Sequence, residues 1–165
     1  VITRANSEDE KLALVAYLAS KIGTSPATLV GQMPYEIVAT TDRAGKPNGA
    51  VMYINWRGST IEMACAGEPG WLTRAHLAEL FRYPFEQMRC WTVLTLVRRR
   101  NARARQFNVK VGFTELCVVR NGPDKSEDSI LYGMSRPECR WLPCAEAINR
   151  QSAIANGAHA SRGVP

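Results

Sequence analysis

Apolar positions along this chain switch between two periods, and the switches mark its elements. From residue 8 to Gly23, Leu12, Val15, Ala16, Ala19 and Ile22 recur at helical spacing, which predicts a helix that ends at the glycine. Thr24-Ser25-Pro26 is suited to cap a short second helical turn. Residues 35–41, 50–56 and 60–66 then read as strands. The turn-rich stretch 42–49 joins the first two, and Arg57-Gly58-Ser59 makes a hairpin of the last two. Residues 71–81 read as a helix carrying Leu72, Ala75, Leu77, Leu80 and Phe81, with Pro84 as a break. Residues 91–97 form an apolar run predicted as a buried strand. A further helix starts at Asn101, a residue type that accepts from orphan helical N–H groups, and stops at Gly112. Ala104, Phe107 and Val111 share one face of it. Strands over 114–120 and 129–134 close the pattern, separated by a polar loop.

The order is helix, three strands, helix, strand, helix, two strands, with an unclear first strand near residues 1–3. Its length suits one domain, expected over residues 1–148, with an Ala/Ser/Gly/Asn-rich tail over 149–165 that is flexible or ordered by a partner. A hydrophobic content of 45% with 22% charged residues excludes a disordered chain. No apolar run approaches the roughly 20 residues that span a bilayer. The charged start of the chain does not read as a signal peptide, so a cytoplasmic location is expected.

The five cysteines, Cys65, Cys90, Cys117, Cys139 and Cys144, form no C-x-x-C pair, and their odd number argues against a complete disulfide framework. Cys65, Cys90 and Cys117 sit in or beside apolar runs and read as small buried hydrophobes. With His76 and His159 the only histidines, no metal-ligand spacing is present and no metal site is expected. Net charge is +6, and the densest basic block is Arg98-Arg99-Arg100 with Arg103, Arg105 and Lys110 behind it. Such a block beside a helix start suits an anion, whether a nucleotide cofactor or a nucleic acid.

The unit Asn101, Ala104, Phe107, Gly112-Phe113 between two apolar runs resembles the CoA-binding strand–helix–strand of the GNAT acyltransferase superfamily. Gly70-Trp-Leu-Thr-Arg74, Tyr83-Pro-Phe85 and the closing segment from Tyr132 to Leu142 resemble a phage and proteobacterial subset. The resemblance covers roughly residues 35–142 and implies an α/β fold: a mixed sheet with a three-strand meander, then the CoA-binding unit, with two parallel strands splayed apart. It implies acetyl-CoA as cofactor, with Met63, Ala64 and Cys65 along the pantetheine arm and the strand over 91–97 as their splayed partner. Asn101, Ala104 and Phe107 would contribute from the helix. The pyrophosphate would meet the loop before the middle helix, where Gly70, Trp71, Leu72, Thr73 and Arg74 stand in place of the usual glycine-rich pattern. Bulky Trp71 and acidic Glu68 depart from that pattern. Many members place a tyrosine acid at the position of Asn108, whose carboxamide has no labile proton of useful pKa.

Acyl transfer to an amine needs a base, and Glu62 is the best placed carboxylate by topology, although a strand glutamate between Ile61 and Met63 equally suits a solvent-facing position. Tyr53, Tyr132 and Glu36 are weaker candidates. The leading expectation is an N-acetyltransferase with an unidentified amine acceptor. The alternative is a GNAT-fold subunit of weakened or lost activity in a larger assembly, such as a phage particle, for which the eroded motifs and Trp56 and Trp141 speak. A homo-oligomer through the final hairpin is a further expectation. Nucleic acid ranks below both, because the arginine block lacks interleaved aromatics for base stacking.

Overall fold

The computed structural model of the protein describes residues 2–31, 34–122 and 126–142. The expected tail, Cys144 and His159 lie outside them. A short strand β1 (Ile2–Arg4) resolves the unclear first element. Helix α1 (Glu8–Ile22) follows, with Ser7 accepting from the Glu10 N–H and Gly23 closing the helix at φ 78°. Helix α2 (Pro26–Val30) starts behind a Ser25 cap, as expected. The meander is β2 (Glu36–Thr41), β3 (Pro47–Ile54) and β4 (Thr60–Gly67). Helix α3 (Arg74–Arg82), β5 (Thr92–Arg98), α4 (Ala102–Val111), β6 (Thr114–Val119) and β7 (Ser129–Ser135) complete it. All seven strands join one sheet in the order β1-β2-β3-β4-β5-β7-β6. The α/β fold with a mixed sheet is therefore present as expected.

Two apolar clusters lie on opposite faces of this sheet. Leu14, Val15 and Leu18 of α1 cover Ile37, Ala39, Ala50 and Met52 on one face. Val38, Val51, Tyr53, Ile61 and Met63 face the other way, toward Leu80 and Phe81 of α3 and Val111 of α4. Residues of β2 and β3 alternate strictly between the clusters, as the two-residue strand period requires.

Several elements depart from the pattern reading. The buried stripe of α1 runs through Leu14, Val15, Leu18 and Ala19, while Leu12 stays 59% exposed. Leu14 and Leu18 bury more apolar surface than the alanines that the periodicity had placed inward. Helix α3 starts at Arg74 instead of residue 71, because the Thr73 hydroxyl caps it by accepting from the His76 N–H at 3.2 Å. Pro84 does not break the chain. The helix widens there into a π turn (Tyr83–Gln87), closed by the Met88 N–H on the Tyr83 carbonyl at 2.9 Å. Proline lacks an N–H, and a wider turn accommodates its ring without ending the helix.

Trp91, expected inside a buried strand, precedes β5 and is 59% exposed, while Cys90 and Val93 on either side turn inward. Strand β6 lies at the sheet edge with only β7 beside it. Leu116 and Val118 are exposed there, and so is Cys117, which corrects its reading as a buried hydrophobe. Apolar composition marks a strand but not whether it takes an edge. Trp141, expected to be exposed, is half-buried and donates from Nε1 to the Val111 carbonyl at 2.8 Å.

Candidate active site

The strands β4 and β5 run parallel and pair over three positions only: Thr60 with Thr92, Ile61 with Val93, and Glu62 with Leu94. Beyond Glu62 they separate. Strand β5 stays fully paired with β7, from Thr92–Ser135 to Arg98–Ser129. Strand β4 stays paired with β3 as far as Gly49–Gly67. Each diverging strand is thus held by its other neighbour, and the wedge between them is a fixed feature of the sheet. A cavity of about 680 Å³ fills it.

Most of the residues expected to meet a cofactor line this cavity. Met63, Ala64 and Cys65 do so along β4, and Gly70, Trp71 and Leu72 from the loop after it. Asn101, Ala104 and Phe107 line it from the start and inner face of α4. Thr73 and Arg74 are not among the lining residues; the Thr73 hydroxyl is engaged in capping α3. Asn101 has the cap role expected of it, accepting the Ala104 N–H at 3.0 Å on Oδ1, while also facing the cavity.

The loop after β4 differs from a phosphate cradle of bare backbone. The Trp71 ring is buried against Gly49 and Gly67, which face each other across β3 and β4. A Cβ on Gly49 would lie 2.0 Å from Trp71 Cε3, and one on Gly67 would lie 2.6 Å from Cδ2. The two glycines therefore make the notch that holds the indole. Glu68, on the same loop, forms an ion pair with Lys21 at the last turn of α1. Both residues line the cavity rim.

Glu62 lines the cavity at the last β4–β5 pair. It is half-buried and has no hydrogen bond or ion pair among the described residues. Its cross-strand neighbour is Ile54, which packs with the α1 cluster, so Glu62 faces the α1/α2 side of the sheet. Leu29 and Thr28 of α2 line the same side. The weaker candidates are placed elsewhere. Tyr53 is buried with its hydroxyl donating to the Leu80 carbonyl at 2.7 Å, and burial pushes its phenol well above the ordinary value. Tyr132 is buried beside Glu115, and Glu36 lies on β2; none of the three lines the cavity. Cys65 is no nucleophile, since burial pushes its thiol up to about 12.

The arginine block divides by function of place. Arg98 and Arg103 line the cavity near the N-terminus of α4. Arg99 instead reaches Asp128 at 3.5 Å, and the Arg100 N–H donates to Glu127 at 2.6 Å, fixing the segment before β7. Several lining residues had no site role in the sequence reading, the buried Thr95 and Ser129 among them, whereas Asn108 stands where the resemblance led one to expect an acid. Periodicity shows that such positions are inside but not that a cavity passes them. Among the described residues no cluster of His, Cys, Asp and Glu is suited to a metal, and no helix is long and apolar enough to cross a membrane.

No sequence-family profile matches the chain, and no curated protein sequence does. Solved structures do. A point mutant of a spermidine N-acetyltransferase from Vibrio cholerae superposes with a TM-score of 0.64 at 13% identity, covering 85% of this chain and 97% of that one. A GNAT-family protein of Desulfovibrio desulfuricans gives 0.61 at 18% identity, over 82% and 98%. A protein of Acinetobacter baylyi described as an acetyltransferase gives 0.63 at 15% identity, over 84% and 93%. With the β4–β5 wedge, the α4 cap and these superpositions together, the chain has the fold of the GNAT acetyltransferases.

Proposed function

We propose that the protein is an N-acyltransferase that moves an acetyl group from acetyl-CoA to an amine. The observation that carries this reading is the wedge between β4 and β5. An extended pantetheine arm fits along β4, whose edge toward β5 lacks a strand partner beyond Glu62. Backbone groups on that edge can continue sheet-like hydrogen bonds onto the arm's amides. The acyl end then reaches the vertex, beside Glu62. The phosphates leave by the cavity mouth, between the loop at Gly70 and the α4 N-terminus with Arg98 and Arg103.

At the vertex Glu62 takes the role of base. It removes a proton from the ammonium of an acceptor that enters from the α1/α2 side, and the free amine attacks the thioester carbonyl. A half-buried carboxylate with no competing partner is available for this transfer. Holding both reactants in the wedge supplies proximity, which makes the transfer effectively unimolecular.

The test is a calorimetric titration with acetyl-CoA, set beside an Asn101→Ala, Gly70→Glu double variant. Micromolar binding that is lost in the variant supports the reading, and a panel of amines, with polyamines and peptide N-termini included, then identifies the acceptor. An absence of binding at millimolar acetyl-CoA refutes it, and the fold would then serve as a non-catalytic subunit.

A further inference from the structure

Glu62 stands where the covered and the open parts of one sheet face meet. On that face α1 lies over β2, β3 and β4, with α2 packed beside it. On β5, β7 and β6 the same face stays open. Leu96 is 38% exposed and Leu116 54%, and Leu94 and Leu131 are half-buried.

The register fixes the neighbours of the carboxylate. Glu62 pairs with Ile54 on β3 and with Leu94 on β5, so the three side chains stand in one row across the face. Gly133 comes next in that row, opposite Leu94. A Cβ on Gly133 would lie 2.7 Å from Leu116 Cδ1 and 3.5 Å from Leu94 Cδ2. The β6 leucine therefore folds over the glycine toward the β5 leucine. Two residues further along β5, Leu96 pairs with Leu131. Leu94, Leu96, Leu116 and Leu131 together form an apolar shelf. It begins one strand spacing from Glu62, about 5 Å, and extends away from α2.

The ionic groups narrow the choice of acceptor. Among the described residues, the charged side chains that line the cavity are Glu62, Glu68, Lys21, Arg98 and Arg103. Glu68 is held by Lys21, and the two arginines stand toward the α4 N-terminus. One carboxylate remains for an acceptor. A diamine or polyamine would lay its second ammonium on leucines, losing hydration without gaining a partner. An apolar body in the same place removes exposed leucine surface from water.

We propose that the acceptor is a primary monoamine with an apolar alkyl or aryl body, its nitrogen at Glu62 and its body on the leucine shelf. This rests on the acyl-transfer reading above and names its substrate class. The ammonium gives one proton to Glu62, and the freed lone pair forms the C–N bond. The C–S bond breaks with its electron pair going to sulfur, and the second amine proton is lost to solvent. The products are a neutral N-acetyl amide and CoA, whose thiolate takes up a proton from solvent.

The test compares kcat/KM for acetylation of butylamine, hexylamine, 2-phenylethylamine, 1,4-diaminobutane, spermidine and a peptide N-terminus. Each methylene laid on the shelf is expected to raise kcat/KM about threefold. In wild type 2-phenylethylamine is expected to exceed 1,4-diaminobutane by at least about tenfold. Leu96→Asp places a second carboxylate on the shelf, about 8 Å from the first, and should lower that ratio by about tenfold or more. Leu116→Asp, at the more exposed position, should act in the same direction, and melting temperatures show which variants are folded. An unchanged ratio in a folded variant overturns the shelf. A wild-type preference for the diamine, spermidine or the peptide overturns the inference and leaves acyl transfer standing. So does binding of acetyl-CoA without turnover of butylamine, hexylamine or 2-phenylethylamine. An absence of binding at millimolar acetyl-CoA overturns both.

Discussion

The indole of Trp71 is held by an absence of side chains, and that makes it open to a clean perturbation. Gly49→Ala adds one methyl group at a strand position with ordinary extended φ, so the backbone itself accepts alanine. The new Cβ would lie 2.0 and 2.4 Å from ring carbons of Trp71 and 2.8 Å from Thr40 Oγ1. The hydroxyl is a movable group, but a buried indole is not. Either the ring leaves its notch or the β3–β4 pair shifts, and overpacking of this kind costs about 1–3 kcal/mol. For a chain of this size each 1 kcal/mol lowers the melting temperature by about 2–4 °C. Trp71→Ala alone should cost about 3–5 kcal/mol. In that background the clash with the ring is gone, and Gly49→Ala should fall within about 0.5 kcal/mol of neutral, since alanine restricts the unfolded chain. Urea unfolding of the four proteins measures the coupling. A coupling of at least about 1 kcal/mol is expected. Additive costs, or a harmless Gly49→Ala in the wild-type background, would show that the indole does not sit on the paired glycines.

Three further outcomes follow from the same geometry. Asn101→Ala removes the α4 cap and should lower stability by about 1 kcal/mol in thermal or urea unfolding, whether or not a cofactor binds. Glu68→Gln removes a negative charge from the cavity rim, and acetyl-CoA is expected to bind about two- to fivefold tighter by calorimetry, with the gain shrinking as salt is raised. The Cys65 thiol lies above its ordinary value near 9 in the folded protein, at about 12. Its contribution to stability is therefore full below about pH 9 and is lost as pH rises toward about 12. Melting temperatures should fall over that window, and less steeply for Cys65→Ala than for wild type.

Local chemistry was legible in the chain. The Asn101 cap, the left-handed Gly112 and the Ser25-Pro26 start of α2 depend on groups within a few residues of one another, and each appears where the residue types require it. The unit around α4 was specific enough to suggest the fold, and most of the cofactor residues it implied do line the wedge. What the chain did not reveal depends on neighbours distant in sequence. The same kind of apolar run serves the exposed edge strand β6 and the central β3, because strand order decides which faces are covered. Trp71 read as part of a helix until two glycines on β3 and β4 gave it a notch that kept it out of α3. Glu62 and Asn108 lie far apart in the chain, on a strand and a helix; the sequence offered one as a base candidate and the other only as the place of a missing acid. Only the separation of β4 from β5 opens a cavity that both of them line. Residue type sets the chemistry a side chain can perform, whereas convergence upon a common point is a property of the assembled sheet.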